Sequence, residues 1–207
     1  APGQHRAIDG TAPAAATPEV WAGKPYLDFH GPKAATVPAV LDSMAMVLSQ
    51  FGTKRLAEVL APAIELADGF PMYDILRDTL VRERAHCERY PTTMAVYYAG
   101  GRVPELGEVF RQPDLARTLR AIAAADDAEW RRSHDRPKAI EAGRSAFYKG
   151  DIAQAIGRFY REQGGWMTPE DMAGFRVRFE TPLKVRFRDL DVYGCGPWCQ
   201  GPTLLQT

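Results

Sequence analysis

Long apolar runs are missing from this 207-residue sequence. No stretch approaches the roughly 20 consecutive apolar residues that a transmembrane helix needs, so no membrane-spanning segment is predicted in it. The sequence also lacks a start methionine, and no basic segment followed by an apolar one stands at Ala1, as in a signal peptide. We expect both ends to be truncated parts of a longer protein, so the absence of a targeting signal does not indicate a location.

An excess of charge of either sign is also absent. Lysine and arginine together number 26, as do aspartate and glutamate, so the formal net charge is zero. This balance gives no electrostatic reason to expect nucleic acid or an anionic membrane as a partner. With 45% hydrophobic and 25% charged residues, the composition is typical of a globular protein that buries a core.

Cysteine and histidine are scarce, and their spacing favours neither a disulfide framework nor a metal site. Cys195 and Cys199 are separated by three residues, not by the two of a common redox or zinc motif, and Cys87 stands alone. We interpret all three as unpaired thiols or half-buried small apolar side chains. The four histidines show no metal-ligand spacing, so neither a metal nor another cofactor is expected.

Helical periodicity dominates residues 37–173, after an irregular segment that is rich in alanine, proline and glycine. Gly52 is expected to end the first helix, and Thr53 is the predicted N-cap of the second. Pro62 is expected to kink or divide that second helix, because proline lacks the backbone N–H that a helical turn requires. Further helices are predicted between Ile75 and Pro91, from Pro113 through Ile122, from Asp151 to Gly164, and after Thr168.

Two segments lack this periodicity. Residues 91–111, which carry Gly100 and Gly101, are predicted to form a loop or a short strand. Residues 126–139 are strongly charged and aperiodic, and we expect them to form an exposed surface excursion.

From Phe175 the apolar period changes to two, which predicts two or three strands over residues 175–195. We interpret the alternating basic residues as the solvated face of a sheet, because the net charge of zero disfavours a nucleic-acid surface. The predicted fold class is therefore α+β, mostly helical with strands near the C-terminus. The basic residues in question are Arg176, Arg178, Lys184, Arg186 and Arg188.

Residue spacing alone reveals no phosphate-binding glycine loop, nucleophile elbow or metal-binding helix. Five ordered segments nevertheless resemble the large subunit of the γ-glutamyltransferase (gamma-glutamyltranspeptidase) family. Each is generic by itself, but their order across nearly the whole chain is specific. They are the stretch from GPK (31–33) to GFP (69–71), QPDLARTL (112–119) with Ile122-Ala123, FYKGDIA (147–153), GGWMTPEDM (164–172) and the strand pair around Pro182-Leu183.

The resemblance implies an N-terminal-nucleophile hydrolase with an αββα core, of which residues 1–207 would be a partial large-subunit domain. Members of the family cleave their own precursor before a threonine, whose freed α-amine then takes the proton from its hydroxyl. They transfer a γ-glutamyl group from glutathione-like amides to water or amines. The nucleophile is expected in the small subunit, the other part of the same precursor, so no catalytic residue is predicted in this chain. Thr207 stands at the wrong end to serve as a first residue.

One substrate-binding residue is expected in the large subunit. In the family, an arginine in an Asp-x-Arg-Glu-x-Ala-Pro segment holds the α-carboxylate of the substrate, where a guanidinium matches a planar carboxylate. Here Asp9 and Ala12-Pro13 match that segment, but the Arg-Glu pair is missing. Arg6 is the candidate substitute, and a plain surface charge is its alternative interpretation. The sequence therefore leaves open whether the substrate is a γ-glutamyl compound such as glutathione.

The sequence departs from the family pattern at two further places, and two alternative functions stay open. The family's Pro-Pro-x-Ser-Ser-Gly-Gly turn is replaced by residues 196–202, and residues 126–139 resemble a surface insertion. An amidohydrolase for another small amide is one alternative, and a non-catalytic helical interaction module is the other. The resemblance favours a periplasmic or secreted location, and a cytoplasmic one stays open.

Overall fold

Helices make up most of the chain in the computed structural model, which describes residues 7–9 and 30–207. Short strands form three separate two-stranded antiparallel sheets, β1 with β4, β2 with β3, and β5 with β6. The helices are α1 (Val40–Phe51), α2 (Leu56–Asp68), α3 (Asp74–Cys87), α4 (Pro91–Tyr97), α5 (Pro113–Ser133), α6 (Arg136–Tyr148), α7 (Asp151–Glu162), α8 (Pro169–Gly174) and α9 (Gly201–Gln206). The strands are β1 (Ala7–Asp9), β2 (Phe70–Pro71), β3 (Val109–Phe110), β4 (Arg178–Glu180), β5 (Leu183–Phe187) and β6 (Leu190–Gly194).

The chain divides into two compact units. Of the described residues, 7–9, 30–52 and 148–207 belong to the first unit, and 53–147 belong to the second. In the first unit, α7 packs on α8, and the hairpin of β5 and β6 contacts α9. In the second unit, α2 packs along α5. The predicted fold class, mostly helical with strands near the C-terminus, is confirmed.

Several predicted helix ends are confirmed by their capping contacts. The N–H of Gly52 donates to the carbonyl of Leu48 at 3.0 Å, which ends α1. Before α8, the hydroxyl of Thr168 accepts from the N–H of Asp171 at 3.2 Å, and the Asp171 carboxylate accepts from the N–H of Thr168 at 2.9 Å. This reciprocal pair satisfies two backbone donors that a helix start leaves without partners.

The start of α2 differs from the prediction. Its N-cap is Arg55, not Thr53, and the N–H of Arg55 donates to the Glu58 carboxylate at 2.8 Å. Of the two effects expected at Pro62, a kink or a division, the division is wrong, because α2 continues through this residue to Asp68. Packing against α5 stabilises the helix beyond what the lost N–H costs.

Residues 91–111 are predicted to form a loop or a short strand. They contain the short strand β3, but they begin as a helix. Pro91 occupies the first helical position of α4, where its missing N–H costs nothing. A seven-residue helix is too short to be stable by itself, so its side chains must be held by tertiary contacts. Met94 and Tyr97 provide them, since both pack on the buried cluster of Met72, Leu80, Tyr98 and Phe110.

The exposed excursion expected at residues 126–139 does not exist. Residues 126–133 complete α5, and α6 begins at Arg136 after a left-handed His134. Asp126 is fully buried. A carboxyl side chain therefore occupies a core position of the helix. This is why the apolar pattern of the sequence is interrupted at residue 126.

The C-terminal hairpin confirms the polar interpretation of its basic residues. Lys184 and Arg186 both reach Asp191, with N–O distances of 2.8 and 3.1 Å. The apolar side chains of the hairpin are exposed as well, with Phe187 and Leu190 retaining 58% and 67% of their accessible surface. Neither face of this hairpin is fully covered within the described chain.

Tyr98 links α3 to the segment after α4 within the second unit. It is buried, and its hydroxyl donates to the carbonyl of Leu80 at 2.8 Å. Burial raises the pKa of Tyr98 from 10.0 to about 12. The phenol thus favours the folded state fully below pH 10.0, and that contribution is lost as the pH rises through about 12.

We expect Tyr98→Phe to lower the free energy of unfolding by about 1 kcal/mol at neutral pH, the usual contribution of one hydrogen bond. The variant should also lose part of the alkaline decline in stability, because it has no phenol to ionise. Thermal unfolding at a series of pH values up to 11.5 would measure both effects. Tyr73→Phe is the matched control, since Tyr73 is 51% exposed. Equal alkaline declines in the two variants would contradict the assignment.

Candidate functional site

The predicted substrate-binding segment is located by a short backbone pairing. In β1, which directly follows Arg6 in the chain, Ile8 pairs with Phe179 of β4 and Asp9 pairs with Arg178. Strand pairing fixes the register of the chain, since a slip by one residue would turn every side chain to the opposite face. The position of β1 therefore depends on what holds β4.

A buried carboxylate in α1 holds the residues that lead into β4. Asp42 is 3% exposed, and its Oδ2 accepts from the backbone N–H of Val177 at 2.6 Å. Its Oδ1 lies 3.6 Å from Nη1 of Arg176. A buried carboxylate is stable only when such donors surround it, so this contact fixes the chain immediately before Arg178.

Tyr148 holds the backbone of Asp42, the residue whose carboxylate binds Val177. Its hydroxyl accepts from the N–H of Asp42 at 3.2 Å and donates to the carbonyl of Pro38. Its ring lies 5.9 Å from the ring of Phe175. The fully buried tyrosine thus joins the start of α1 to the segment that enters β4.

The far end of β4 is held by a polar and an aromatic contact. The Glu180 carboxylate accepts from the N–H of Gly196 at 3.0 Å and from the indole N–H of Trp198 at 2.7 Å. The ring of Phe179 meets Phe51 of α1 edge to face, with centroids 5.8 Å apart. Contacts at both ends of β4 thus hold the strand that pairs with β1.

The residues predicted from the sequence are placed only in part. Arg6 and residues 10–15 lie outside the described residues. Thr207 follows α9, and its hydroxyl donates to the carbonyls of Thr203 and Leu204 at 3.2 and 2.9 Å. These are ordinary contacts of a helix end, and they give Thr207 no catalytic environment.

Sequence reasoning missed an ion pair between the half-buried Arg55 at the start of α2 and the fully buried Asp126 of α5 in the second unit. Nη1 of Arg55 lies 3.1 Å from Oδ1 of Asp126 and 2.6 Å from Oδ1 of Asp127. The N–H of Ala57 also donates to Asp126 at 3.4 Å, and the guanidinium lies 5.3 Å from the ring centre of Trp130. Burial raises the pKa of Asp126 from 3.8 despite these donors.

The Arg55 cluster has the contacts of a structural ion pair. Asp126 is fully buried against the helix packing, and a Cβ added at Gly143 would come within 3.4 Å of its side chain. The donors that hold it belong to the same pair of helices. We interpret the Arg55 cluster as a structural contact that holds the start of α2 on α5. The only sequence signal was its i, i+4 distance from Ile122, a core position of α5.

Residues 7–9 and 30–207 contain neither a candidate metal site nor a helix that could span a membrane. No group of three or more metal-ligating side chains lies together there. Among the same residues, no helix is both long and apolar enough to cross a membrane.

Comparison with known proteins gives a consistent result along the chain. A family model described as gamma-glutamyltranspeptidase matches residues 3–207. The chain is 34% identical over 194 residues to the glutathione hydrolase-like YwrD proenzyme of Bacillus subtilis, a match that covers 92% of this chain and 34% of that protein. It is 30% identical over 211 residues to the acylase ACY 1 proenzyme of Pseudomonas sp. strain SE83, covering 95% of this chain and 35% of that one.

A solved structure agrees with these relatives. Gamma-glutamyltranspeptidase from Helicobacter pylori superposes with a TM-score of 0.79 at 26% identity, covering 97% of this chain and 58% of that one. The chain spans about a third of the length of the curated relatives described above. Similarity of fold and sequence thus extends over nearly all of this chain and over part of each relative.

Proposed function

Because the chain belongs to the gamma-glutamyltranspeptidase family, we propose that it is a large-subunit segment of a self-processing enzyme. The enzyme transfers a γ-glutamyl or related acyl group from small amides to water or amines. The match of the family model to residues 3–207 carries this proposal. The names of the relatives support it, since both are proenzymes, one a glutathione hydrolase-like protein and one an acylase.

The chemistry would be divided between two parts of one precursor. A threonine freed by self-cleavage attacks the amide carbonyl, and its own α-amine accepts the hydroxyl proton. The amine of the substrate leaves with a proton, and water or a second amine then releases the acyl group. The partner of this chain is the remaining part of the precursor, which carries that threonine. No cofactor is required for these steps.

This chain would contribute substrate recognition. The segment around β1 corresponds to the family's carboxylate-binding segment, and β4 holds it through the pairing at Ile8 and Asp9. Arg6 precedes β1 directly and is the proposed donor to the substrate's α-carboxylate. A guanidinium forms two parallel hydrogen bonds with a carboxylate, which gives both affinity and orientation.

An experiment on the full-length precursor tests the reaction class. We expect it to appear as two subunits on a denaturing gel and to release glutamate from a γ-glutamyl anilide. An acylase for another small amide is the second candidate, favoured by the missing Arg-Glu pair between Asp9 and Pro13. That candidate predicts two subunits with turnover of a different acyl amide. A precursor that stays one chain and cleaves no small amide would leave the interaction module as the explanation.

Substitution of Arg6 tests its role in the processed enzyme. We expect Arg6→Ala to raise KM for the γ-glutamyl anilide by about tenfold or more, because a hydrogen bond to a charged group contributes about 1.5–3 kcal/mol. Self-cleavage should be unchanged, and Arg6→Lys should recover part of the affinity. Arg117→Ala is the control, since the Arg117 side chain is 71% exposed on α5. Equal KM values for the Arg6 and Arg117 variants would show Arg6 to be a surface charge.

A further inference from the structure

An arginine stands beside the C-terminal end of β1. Asp9, the last residue of β1, pairs with Arg178 of β4. Because the two strands are antiparallel, the residues before Arg178 lie on the side of the Asp9 end of β1. Two residues of chain span at most about 7 Å, so the backbone of Arg176 stays close to that end. Arg176 is therefore a neighbour of the segment with the proposed role in substrate recognition.

The backbone of Arg176 is held in place by the residues on either side of it. Phe175 and Val177 are both buried. The ring of Phe175 lies 5.9 Å from the ring of Tyr148. The N–H of Val177 donates to the Asp42 carboxylate at 2.6 Å. The exposed side chain of Arg176 therefore leaves the core from a fixed backbone position.

The buried Asp42 carboxylate also orients the guanidinium. Its Oδ1 lies 3.6 Å from Nη1 of Arg176, while its Oδ2 accepts from Val177. Because Asp42 is buried, water screens its charge less than that of a surface carboxylate, and its attraction for the guanidinium is stronger. A guanidinium carries five N–H donors, so an arginine that contacts one carboxylate can also bind a second. Arg176 thus has the fixed position and the donors that a carboxylate ligand requires.

Neutralising Asp42 is the competing role for Arg176. Arg55 has such a structural role in the second unit, and its side chain is 20% exposed beside the buried Asp126. The Arg176 side chain is 48% exposed beside the buried Asp42. Balancing a buried charge does not require so much exposure. The structural role alone therefore leaves the outer part of the Arg176 side chain unexplained.

We propose that Arg176 is a specificity-determining residue that binds a carboxylate on the acyl group of the amide substrate. This inference rests on the proposed function, in which the segment at β1 recognises a small amide. It adds a second donor to Arg6, which precedes β1 in the chain. The substrate class that fits is an amide whose acyl group carries a free carboxylate, as γ-glutamyl and glutaryl groups both do. A guanidinium forms two parallel hydrogen bonds with a carboxylate and so selects these acyl groups over neutral ones.

Paired substrates with and without the carboxylate test this role in the processed full-length precursor. The γ-glutamyl anilide is compared with the 4-aminobutanoyl anilide, and the glutaryl anilide with the butanoyl anilide, so that each pair differs only in that carboxylate. We expect Arg176→Ala to raise KM about tenfold or more for the amides with the carboxylate, the effect of losing a hydrogen bond between charged groups. KM for the other two amides should be unchanged. Arg176→Lys should recover part of the affinity, because lysine keeps the charge but not the planar fork.

The control variant and the contradicting results are equally specific. Arg158→Ala is the matched control, because Arg158 is an exposed arginine of α7 in the same unit, and its KM values should equal those of the natural chain. An equal rise of KM in Arg176→Ala for amides with and without the carboxylate would overturn the proposal, because it would show a structural role through Asp42. Unchanged KM for all four amides would overturn it as well.

Binding of free glutarate separates this proposal from the proposed reaction. Calorimetric titration of the full-length protein with glutarate and with butanoate needs no turnover. We expect glutarate to bind more tightly than butanoate, and Arg176→Ala to remove most of that difference. A protein that turns over no amide but binds glutarate through Arg176 would contradict the proposed reaction and support the carboxylate site. Equal affinity of the natural protein for glutarate and butanoate would overturn the site.

Discussion

Replacing Arg55 with alanine is expected to destabilise the second unit by about 3–5 kcal/mol, the cost of leaving a buried carboxylate without its charged partner. The variant leaves the fully buried Asp126 without its guanidinium. It also removes the contact with the Trp130 ring. The loss should appear as a lower melting temperature of the full-length protein and as faster hydrogen exchange at the amides of α2 and α5.

The pH dependence of this variant has a definite sign. Burial raises the pKa of Asp126 above 3.8, so its ionised form opposes folding as the pH rises through that raised value. Without Arg55 the opposition grows, and the destabilisation should be larger at pH 7 than at pH 4. Neutralising the carboxyl with Asp126→Asn in the Arg55→Ala background should remove most of this difference.

Arg120→Ala provides a matched control for the ion pair. Arg120 also joins α5 to α2, through Asp68, but the two side chains are 51% and 48% exposed. An exposed ion pair contributes about 0–1 kcal/mol, so this variant should differ little from the natural protein. If both arginine variants lowered stability equally, the interpretation of the Arg55 cluster as a structural contact between α2 and α5 would be wrong.

Replacing Asp42 with alanine is expected to have the second largest effect, a loss of about 1.5–3 kcal/mol in the free energy of unfolding. The substitution leaves the N–H of Val177 without its acceptor, and Val177 is 4% exposed. The chain that enters β4 then loses its attachment to α1. We expect hydrogen exchange to accelerate at residues 177–180, and KM for the amide substrate to rise as β1 loses its support.

Two variants separate this role from a general loss of folding. Asp42→Asn keeps an oxygen that can accept from Val177, so it should retain part of the stability and of the substrate affinity. Asp114→Ala removes a carboxylate whose side chain is 79% exposed. This variant should change neither hydrogen exchange at residues 177–180 nor KM. Unchanged exchange at residues 177–180 in Asp42→Ala would contradict the support of β4 by α1.

The helices that the sequence predicted well are those whose signals are local. Thr168 and Asp171 cap α8 with their own side chains, and Gly52 ends α1 through a backbone contact within one turn. Such signals depend on neighbours three or four residues away, so the sequence contains them completely.

The misjudged segments depend on distant residues. Helix α4 is stable because Met94 and Tyr97 pack on a cluster of side chains from other elements. The local sequence around α4 does not predict this packing. Asp126 interrupts the apolar period of α5, and only its distant partner Arg55 makes it a core residue. The support of β1 likewise joins Asp42 to Val177 across 135 positions of the chain.

The central claim, that this chain recognises substrate while another part of the precursor performs the chemistry, is tested by glutamate release. Purified 1–207 and the full-length precursor should be assayed side by side with a γ-glutamyl anilide. We expect the processed precursor to release glutamate and the 1–207 chain to release none, even at high enzyme concentration. Measurable turnover by purified 1–207 would contradict the account.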